Sequence, residues 1–280
     1  MYSFSLNLHF FYNHKFTEFS IMTNGIVLLP VVPMRAQNME TSEMTSQLLY
    51  GEMVQIIESR GSWILVRNMI DEYEGWVDNK MITKIDAQTL EQYQRAVPVI
   101  SSMPLMVCNI CATEEHFLLP GGSRIYQQNS LQTVLGSKFF DYPAQGPVSV
   151  IGLTGRCIVQ IAKQYLNSPY LWGGKTVLGI DCSGFAQVVY SICGMVIPRD
   201  ADKQSLNGAT VDFVEECKPG DLAFFGHVGP EILHVGIMIS NSQIIHASGW
   251  VKIENIDNYG IVSAQTGDYT HELKLIKRLL

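Results

Sequence analysis

The stretch GIDCSGFAQVVYSICG, residues 179–194, places a cysteine directly after an acidic residue at the predicted start of a helix. Asp181 is a favourable N-cap residue, and Ser183 and Gly184 fit a first helical turn. Residues with apolar side chains then follow at helical steps: Cys182, Phe185, Val189 and Ile192. The stretch therefore predicts a helix whose first turn carries Cys182.

Cys182 has two interpretations from the sequence alone. On an apolar helix face it is a buried thiol that fills space in the core. In the first turn it feels the positive end of the helix macrodipole, which lowers a thiol pKa from its free value of about 8.5 and favours the thiolate. Unpaired backbone N–H groups at the same turn can receive the oxyanion of a tetrahedral intermediate. The choice depends on whether a base lies nearby.

Two histidines supply that base if they lie on paired strands. His234 opens the predicted strand HVGIMI, His246 ends QIIH, and SNSQ between them is a plausible hairpin turn. One imidazole then acts as base to Cys182, and the other orients the first ring. A Cys-His-His zinc site is the alternative, but a helix-start cysteine beside Ser and Gly suits a nucleophile better, so we expect no metal. We assign no role to His227 or His271.

The composition sets the broad class of the protein. The chain has 280 residues, of which 47% are hydrophobic and 16% charged, so it can bury a sizeable core. The net charge of −7 argues against nucleic acid as a partner. The six cysteines are scattered, which indicates free thiols rather than a disulfide scaffold. No run of about 18 apolar residues exists, so we expect no membrane span.

The chain divides into four predicted segments. Residues 1–24 form an N-terminal extension, within which Met22 is an alternative start. Residues 25–85 contain short alternating strands separated by turn signals, which indicates a small β-barrel. Residues 86–147 contain a short helix or linker and a second β unit. Residues 148–280 contain helices followed by consecutive strands, an α+β order.

Five blocks of the last segment resemble the NlpC/P60 family of cysteine peptidases. The blocks occur in the expected order: PYLWGGKTVLGIDCSGFAQVVY, IPRDADKQ, KPGDLAFFG, LHVGIMI and IIHASG. This resemblance implies a papain-like α+β fold in which Cys182 is the nucleophile, His234 the general base and His246 the orienting residue. Residues 50–82 resemble a bacterial SH3-like domain, which has a Gly-Glu, a Trp and a Gly-Trp-Val in this order.

Two SH3-like units ahead of such a domain resemble γ-D-glutamyl-L-diamino acid endopeptidases. The resemblance implies murein peptides with a free N-terminal L-Ala as substrate. It also implies that Asp181 binds the substrate ammonium with help from the first SH3-like domain. Further substrate-binding residues proposed on this basis are Ser183, Trp172, Tyr170, Glu43 and Tyr73. Arg199 is expected to pair near the cleft wall, and Ala201 stands where some relatives carry Ser.

We therefore expect a monomeric cysteine peptidase that needs no cofactor. Because no clear secretion signal precedes the first unit, we expect it to recycle murein peptides in the cytoplasm. One alternative is a secreted peptidoglycan hydrolase whose SH3-like units bind the cell wall. Another is a non-catalytic protein that binds muropeptides.

Overall fold

The computed structural model describes residues 23–111, 113–129, 132–135, 138–141, 152–227, 229 and 231–280. The predicted extension at 1–24 lies almost wholly outside these ranges, as does the predicted boundary between residues 147 and 148. Two β units precede a mixed α/β unit, which confirms the predicted fold class. Among the helices of the described residues, none is both long and apolar enough to cross a membrane.

The first unit is an antiparallel sheet of short strands. The strands are β1 (Thr23–Ile26), β2 (Val31–Arg35), β3 (Met44–Leu49), β4 (Met53–Arg60), β5 (Trp63–Asn68), β6 (Glu74–Asp78) and β7 (Thr83–Ile85). Their order in the sheet is β3-β2-β6-β5-β4-β1-β7, and a 3-10 helix at Asn79–Met81 precedes β7. In β5, Ile64 and Val66 alternate with more exposed residues. This period of two gives the sheet one apolar face, which encloses the core.

The second unit begins with a helix capped by Asp86 and continues with seven strands. These elements are α1 (Ala87–Arg95), β8 (Val99–Ile100), β9 (Leu105–Ile110), β10 (His116–Pro120), β11 (Arg124–Ile125), β12 (Gln127–Asn129), β13 (Gln132–Leu135) and β14 (Lys138–Asp141). Five of them form a sheet in the order β10-β9-β14-β13-β12. Tyr50 of the first unit packs with Met106 and Cys108 of the second, so the two β units share a core.

The third unit packs helices against a seven-stranded sheet. Its elements are α2 (Gly155–Lys163), β15 (Lys175–Thr176), β16 (Gly179–Ile180), α3 (Cys182–Ile192), α4 (Ala201–Gln204), β17 (Ala209–Val211), a 3-10 helix at Val214–Glu216, β18 (Leu222–Gly226), β19 (His234–Met238), β20 (Gln243–Ser248), β21 (Trp250–Ile256), β22 (Gly260–Val262) and β23 (Tyr269–Arg278). The sheet order is β17-β23-β18-β19-β20-β21-β22. Phe185 and Val189 of α3 pack in one core with Val235 and Ile245 of the sheet. This packing holds the first turn of α3 against β19.

Polar side chains join the first unit to the third. Their hydrogen bonds are Lys175 N to Gln47 Oε1 at 2.7 Å, Gln187 Nε2 to Asp71 Oδ2 at 2.8 Å and Arg199 Nε to Ser46 Oγ at 3.0 Å. A buried ion pair connects Lys175 to Glu52 at 3.4 Å. Leu49 also enters the core of the third unit. These contacts hold the first unit against the third unit.

Candidate active site

Cys182 is the first residue of α3, as the sequence predicts. Asp181 caps the helix, because its Oδ1 accepts a hydrogen bond from the Gly184 backbone N–H at 2.7 Å. The side chain of Cys182 is largely buried, with 6% of the residue exposed, but it still lines an open cleft of about 690 Å³. The sulfur is therefore accessible to a ligand in that cleft.

The thiol of Cys182 does not have the lowered pKa expected from its place in the helix. Burial, and after it the Asp181 carboxylate, raise its pKa to about 11. The backbone N–H groups of Val235 and Ser183 and the Arg199 guanidinium act in the opposite direction but have smaller effects. The expected lowering of the Cys182 pKa was wrong, because burial outweighs these N–H groups and the guanidinium. The resting sulfur carries its proton, so attack requires a base.

His234 and His246 lie on neighbouring strands, as the hairpin pattern predicts. His246 pairs with Gly236 in the register of β19 and β20, which places it two residues from the position opposite His234 and on the same face. His234 Nε2 lies 2.9 Å from His246 Nδ1. Burial, followed by the neighbouring histidines, holds the pKa of His234 well below its usual range. His234 is therefore neutral and can accept a proton.

Two further side chains reach the histidine pair. Glu254 Oε2 lies 2.9 Å from His246 Nε2, and both side chains are buried. His271 stacks on His234 with ring centroids 4.3 Å apart. No role was predicted for His271, because β23 follows β19 by some thirty residues and only the strand order brings the two strands together. Glu254 was missed because it lies on β21, a strand that the sequence analysis did not identify.

The imidazoles of His234, His246 and His271 are the one potential metal-binding group found in the described part of the chain, with nitrogen atoms within 4.8 Å of one another. This set differs from the Cys-His-His alternative, since Cys182 is not part of it. Both nitrogens of His246 already have hydrogen-bond partners. A metal would have to displace one of them, so the arrangement is better suited to proton transfer.

Asp181 and Arg199 form a buried ion pair behind Cys182. Two hydrogen bonds, of 2.6 and 3.1 Å, join the Arg199 guanidinium to the two carboxylate oxygens of Asp181. Arg199 Nη1 also donates to Ser183 Oγ at 2.8 Å, and Asp181 Oδ2 accepts from the Gly173 N–H at 2.8 Å. The predicted pairing of Arg199 at the cleft wall is confirmed. The charge of Asp181 is thereby compensated inside the protein.

The cleft beside Cys182 is lined by both the first and the third unit. Glu43, Thr45 and Tyr73 come from the first unit, and Trp172 is 59% exposed at the rim. Trp172 Nε1 donates a hydrogen bond of 2.6 Å to Glu43 Oε1. The remaining residues that line it are Asp181, Ser183, Arg199, Asp200, Ala201, Asp202, Ile232 and Leu233.

Tyr170 lines a second cavity of about 620 Å³ on the side of His234. His227 and His271 line that cavity as well. Leu233 borders both cavities, so they are neighbours on either side of the residue that precedes His234. A substrate can thus occupy both cavities across Leu233. The arrangement has the parts for acyl transfer: a thiol, a neutral imidazole base and helix-start N–H donors.

Two parts of the chain match known families. Residues 167–269 match the NlpC/P60 family, and residues 34–82 match the bacterial dipeptidyl-peptidase SH3 domain. The first match contains Cys182, His234 and His246, and the second contains Glu43 and Tyr73.

Relatives and a solved structure extend the likeness over most of the chain. The chain is 28% identical to a gamma-D-glutamyl-L-lysine dipeptidyl-peptidase of Bacillus cereus, covering 81% of this chain and 74% of the relative. It is 29% identical to dipeptidyl-peptidase 6 of Lysinibacillus sphaericus, covering 80% and 88%. The crystal structure of an NlpC/P60 family protein from Bacillus cereus has the same fold, with a TM-score of 0.78 at 20% identity over 92% of this chain and 99% of that one. Residues 167–269 therefore form an NlpC/P60 domain, and a bacterial dipeptidyl-peptidase SH3 domain lies ahead of it at residues 34–82.

Proposed function

We propose that this protein is a cysteine peptidase that hydrolyses the γ-D-glutamyl-L-diamino acid bond of murein peptides with a free N-terminal L-Ala. The likeness to a gamma-D-glutamyl-L-lysine dipeptidyl-peptidase supports the type of bond. The observation that carries the proposal is the cleft that Cys182 shares with acidic side chains, one of them supplied by the first unit.

In the proposed reaction, Cys182 Sγ attacks the γ-carbonyl carbon while its proton passes to Nδ1 of His234. Backbone N–H groups at the start of α3 stabilise the oxyanion. The His234 imidazolium then gives its proton to the leaving amine as the C–N bond breaks, which leaves a thioester on Cys182. Water attacks the thioester, His234 accepts the proton of that water, and the sulfur regains a proton as the acid leaves.

A free ammonium group suits the charges around this cleft. Glu43 and Asp200 line it, and neither has an ion-pair partner among the described residues. Asp181 is already paired with Arg199, so we expect it to contribute less to the binding of the ammonium than Glu43 does. Burial and the nearby acids raise the pKa of the Tyr73 phenol, which stays a neutral hydrogen-bonding group. A substrate with a blocked N-terminus lacks the charge that these carboxylates require.

Three other residues keep supporting roles in the proposal. Trp172 covers the rim and holds Glu43 in place through its indole N–H. Ser183 lines the cleft, while its hydroxyl joins Asp181 and Arg199. Tyr170 lines the second cavity, which in this proposal receives the leaving diamino acid. The monomeric state and the cytoplasmic location stay predictions of the sequence.

The test compares L-Ala-γ-D-Glu-L-diamino acid tripeptides with their N-acetylated forms, with products identified by mass spectrometry. The wild type is expected to prefer the free amine by roughly 10–100-fold in kcat/KM, because the acetylated form has no positive charge to pair with Glu43 and Asp200. Cys182→Ala is expected to form no product.

A matched pair of variants tests whether Glu43 binds the substrate ammonium. Glu43→Gln is expected to lower kcat/KM for the free amine by roughly 10–100-fold, corresponding to a charged hydrogen bond of about 1.5–3 kcal/mol. The control is Glu40→Gln, an exposed acid in the same loop that does not line the cleft. Equal rates on free and acetylated peptides would instead favour a hydrolase of intact peptidoglycan, and absence of any product would favour a muropeptide-binding protein.

A further inference from the structure

We propose that Glu254 is a positioning residue that fixes the tautomers of His246 and His234. In these tautomers Nδ1 of His234 is unprotonated and can accept the proton of Cys182. This inference rests on the proposed cysteine-peptidase function, because it concerns how the base of that reaction is prepared. It adds a fourth member to the set of Cys182, His234 and His246.

Strand register places Glu254 behind the histidine pair. His246 on β20 pairs with Lys252 on β21, and Glu254 lies two residues further along on the same face. Glu254 Oε2 contacts His246 Nε2 at 2.9 Å, and its Oε1 accepts the Ala264 backbone N–H at 3.1 Å. Both carboxylate oxygens are therefore held, and the orientation of the carboxylate is fixed.

The contacts of Glu254 favour its ionised form. Burial by itself raises the pKa of Glu254, but the hydrogen bonds from His246 and Ala264 and the charge of Lys252 lower it to about 2. An ionised carboxylate can only accept hydrogen bonds. His246 Nε2 must therefore carry the proton that lies between them.

The positions of the other protons on the His246 and His234 rings follow from this one. Burial lowers the pKa of His246, so the ring is neutral and its Nδ1 carries no proton. The contact of 2.9 Å between the two rings then requires His234 Nε2 to be the donor. Since His234 is neutral as well, its Nδ1 is a free acceptor. One fixed negative charge thus sets both imidazoles in the tautomer that a general base needs.

The same carboxylate stabilises the charge that forms during the reaction. When the Cys182 proton reaches His234 Nδ1, the ring becomes an imidazolium that keeps its proton on Nε2. The chain of hydrogen bonds connects that positive charge to Glu254, which takes up no proton itself. Among the described residues, the other titratable groups that face the pair are His271 on β23 and Lys252 on β21, and neither offers a negative charge.

Glu254→Gln tests the inference with an uncharged side chain of nearly the same shape. The amide can donate to His246 Nε2, which favours the reversed tautomers and places a proton on His234 Nδ1. We expect kcat to fall by roughly 10²–10⁴-fold, the order found where a triad ring is held in the wrong tautomer, with KM within about threefold of the wild type. Glu254→Asp retains the charge and is expected to recover part of the loss.

A spectroscopic measurement distinguishes a change of histidine tautomer from a loss of folding. Nitrogen-15 NMR of histidine-labelled protein, without substrate, is expected to show His234 protonated at Nε2 in the wild type and at Nδ1 in Glu254→Gln. Glu272→Gln is the matched control, because it makes the same change at an exposed acid of β23 whose ion pair is with Lys274. It is expected to keep the wild-type tautomer, with kcat within about threefold.

Two results would overturn the inference: a wild-type His234 protonated at Nδ1, or a Glu254→Gln variant with unchanged kcat. If Glu254→Gln does not fold, the wild-type spectrum alone decides. Because the tautomer is measured without substrate, it is unaffected if the enzyme proves to cleave a different bond. Conversely, cleavage of the proposed bond with the wrong tautomer would refute only the role of Glu254.

Discussion

Arg199→Met is expected to destabilise the protein by about 3–5 kcal/mol. The substitution keeps the apolar stem of Arg199 but removes a guanidinium that is 2% exposed and donates to Asp181, Ser183 and Ser46. Asp181 would then be a buried carboxylate facing only the N–H groups of Gly173 and Gly184 and the Ser183 hydroxyl. Breaking a buried ion pair by removing one partner costs about this amount, because the other charge remains desolvated and unpaired.

Urea unfolding followed by far-UV circular dichroism measures this loss. With a slope of about 3 kcal/mol per M, a loss of this size lowers the midpoint by roughly 1–2 M. The control is Arg95→Met, which removes an exposed ion pair with Glu91 one turn away on α1 and is expected to cost about 0.5 kcal/mol or less.

A double-mutant cycle measures the interaction energy between Asp181 and Arg199. Asp181→Asn retains a good N-cap residue but leaves Arg199 as an unpaired buried charge. The double variant Arg199→Met with Asp181→Asn buries no unpaired charge, so it is expected to be more stable than the sum of the single losses by about 2 kcal/mol or more. An Arg199→Met variant within about 1 kcal/mol of the wild type, or additive single effects, would refute the reasoning.

Gly173→Ala is expected to cost more stability than Gly249→Ala in the same urea assay. Both glycines have φ near +75°, but of the two only Gly173 would bring a Cβ into overlap with a backbone oxygen of the first unit, that of Met44. Equal losses would show that the first unit yields at this contact. Alkylation of Cys182 by iodoacetamide, followed by mass spectrometry, is expected to rise about tenfold per pH unit above neutrality, whereas a plateau at neutral pH would reveal a preformed thiolate. His271→Ala removes a group that lowers the pKa of His234, so the acid limb of the pH profile of kcat/KM is expected to move to higher pH. An unchanged acid limb would contradict that coupling.

The sequence predicted those parts of the site that depend on local spacing. The cap at Asp181 placed Cys182 at a helix start, and the short turn between two strands brought His234 and His246 together. Both are properties of neighbouring residues, which periodicity and turn chemistry report directly. Glu43 and Tyr73 came from the family resemblance, since nothing in their local sequence points to the cleft.

The missed features depend on tertiary structure. The pKa of Cys182 is set by burial against the sheet, a quantity that a helix pattern does not contain. His271 reaches His234 because β23 returns beside β18, a long-range pairing without a local signal. Glu254 contacts His246 through the register between β20 and β21, and that register could not be assigned while β21 was unidentified.

The hydrogen bonds that join the first unit to the third also determine how substrate specificity can be altered. In the proposed reaction, bond cleavage depends on residues after position 180, whereas the choice of substrate depends partly on a loop before position 50. Grafting that loop from one of the relatives is a direct route to an enzyme with a new preference. Such a chimaera must retain Gln47, Asp71 and Ser46, which bind Lys175, Gln187 and Arg199. Their loss would separate the first unit, which carries the grafted loop, from the third.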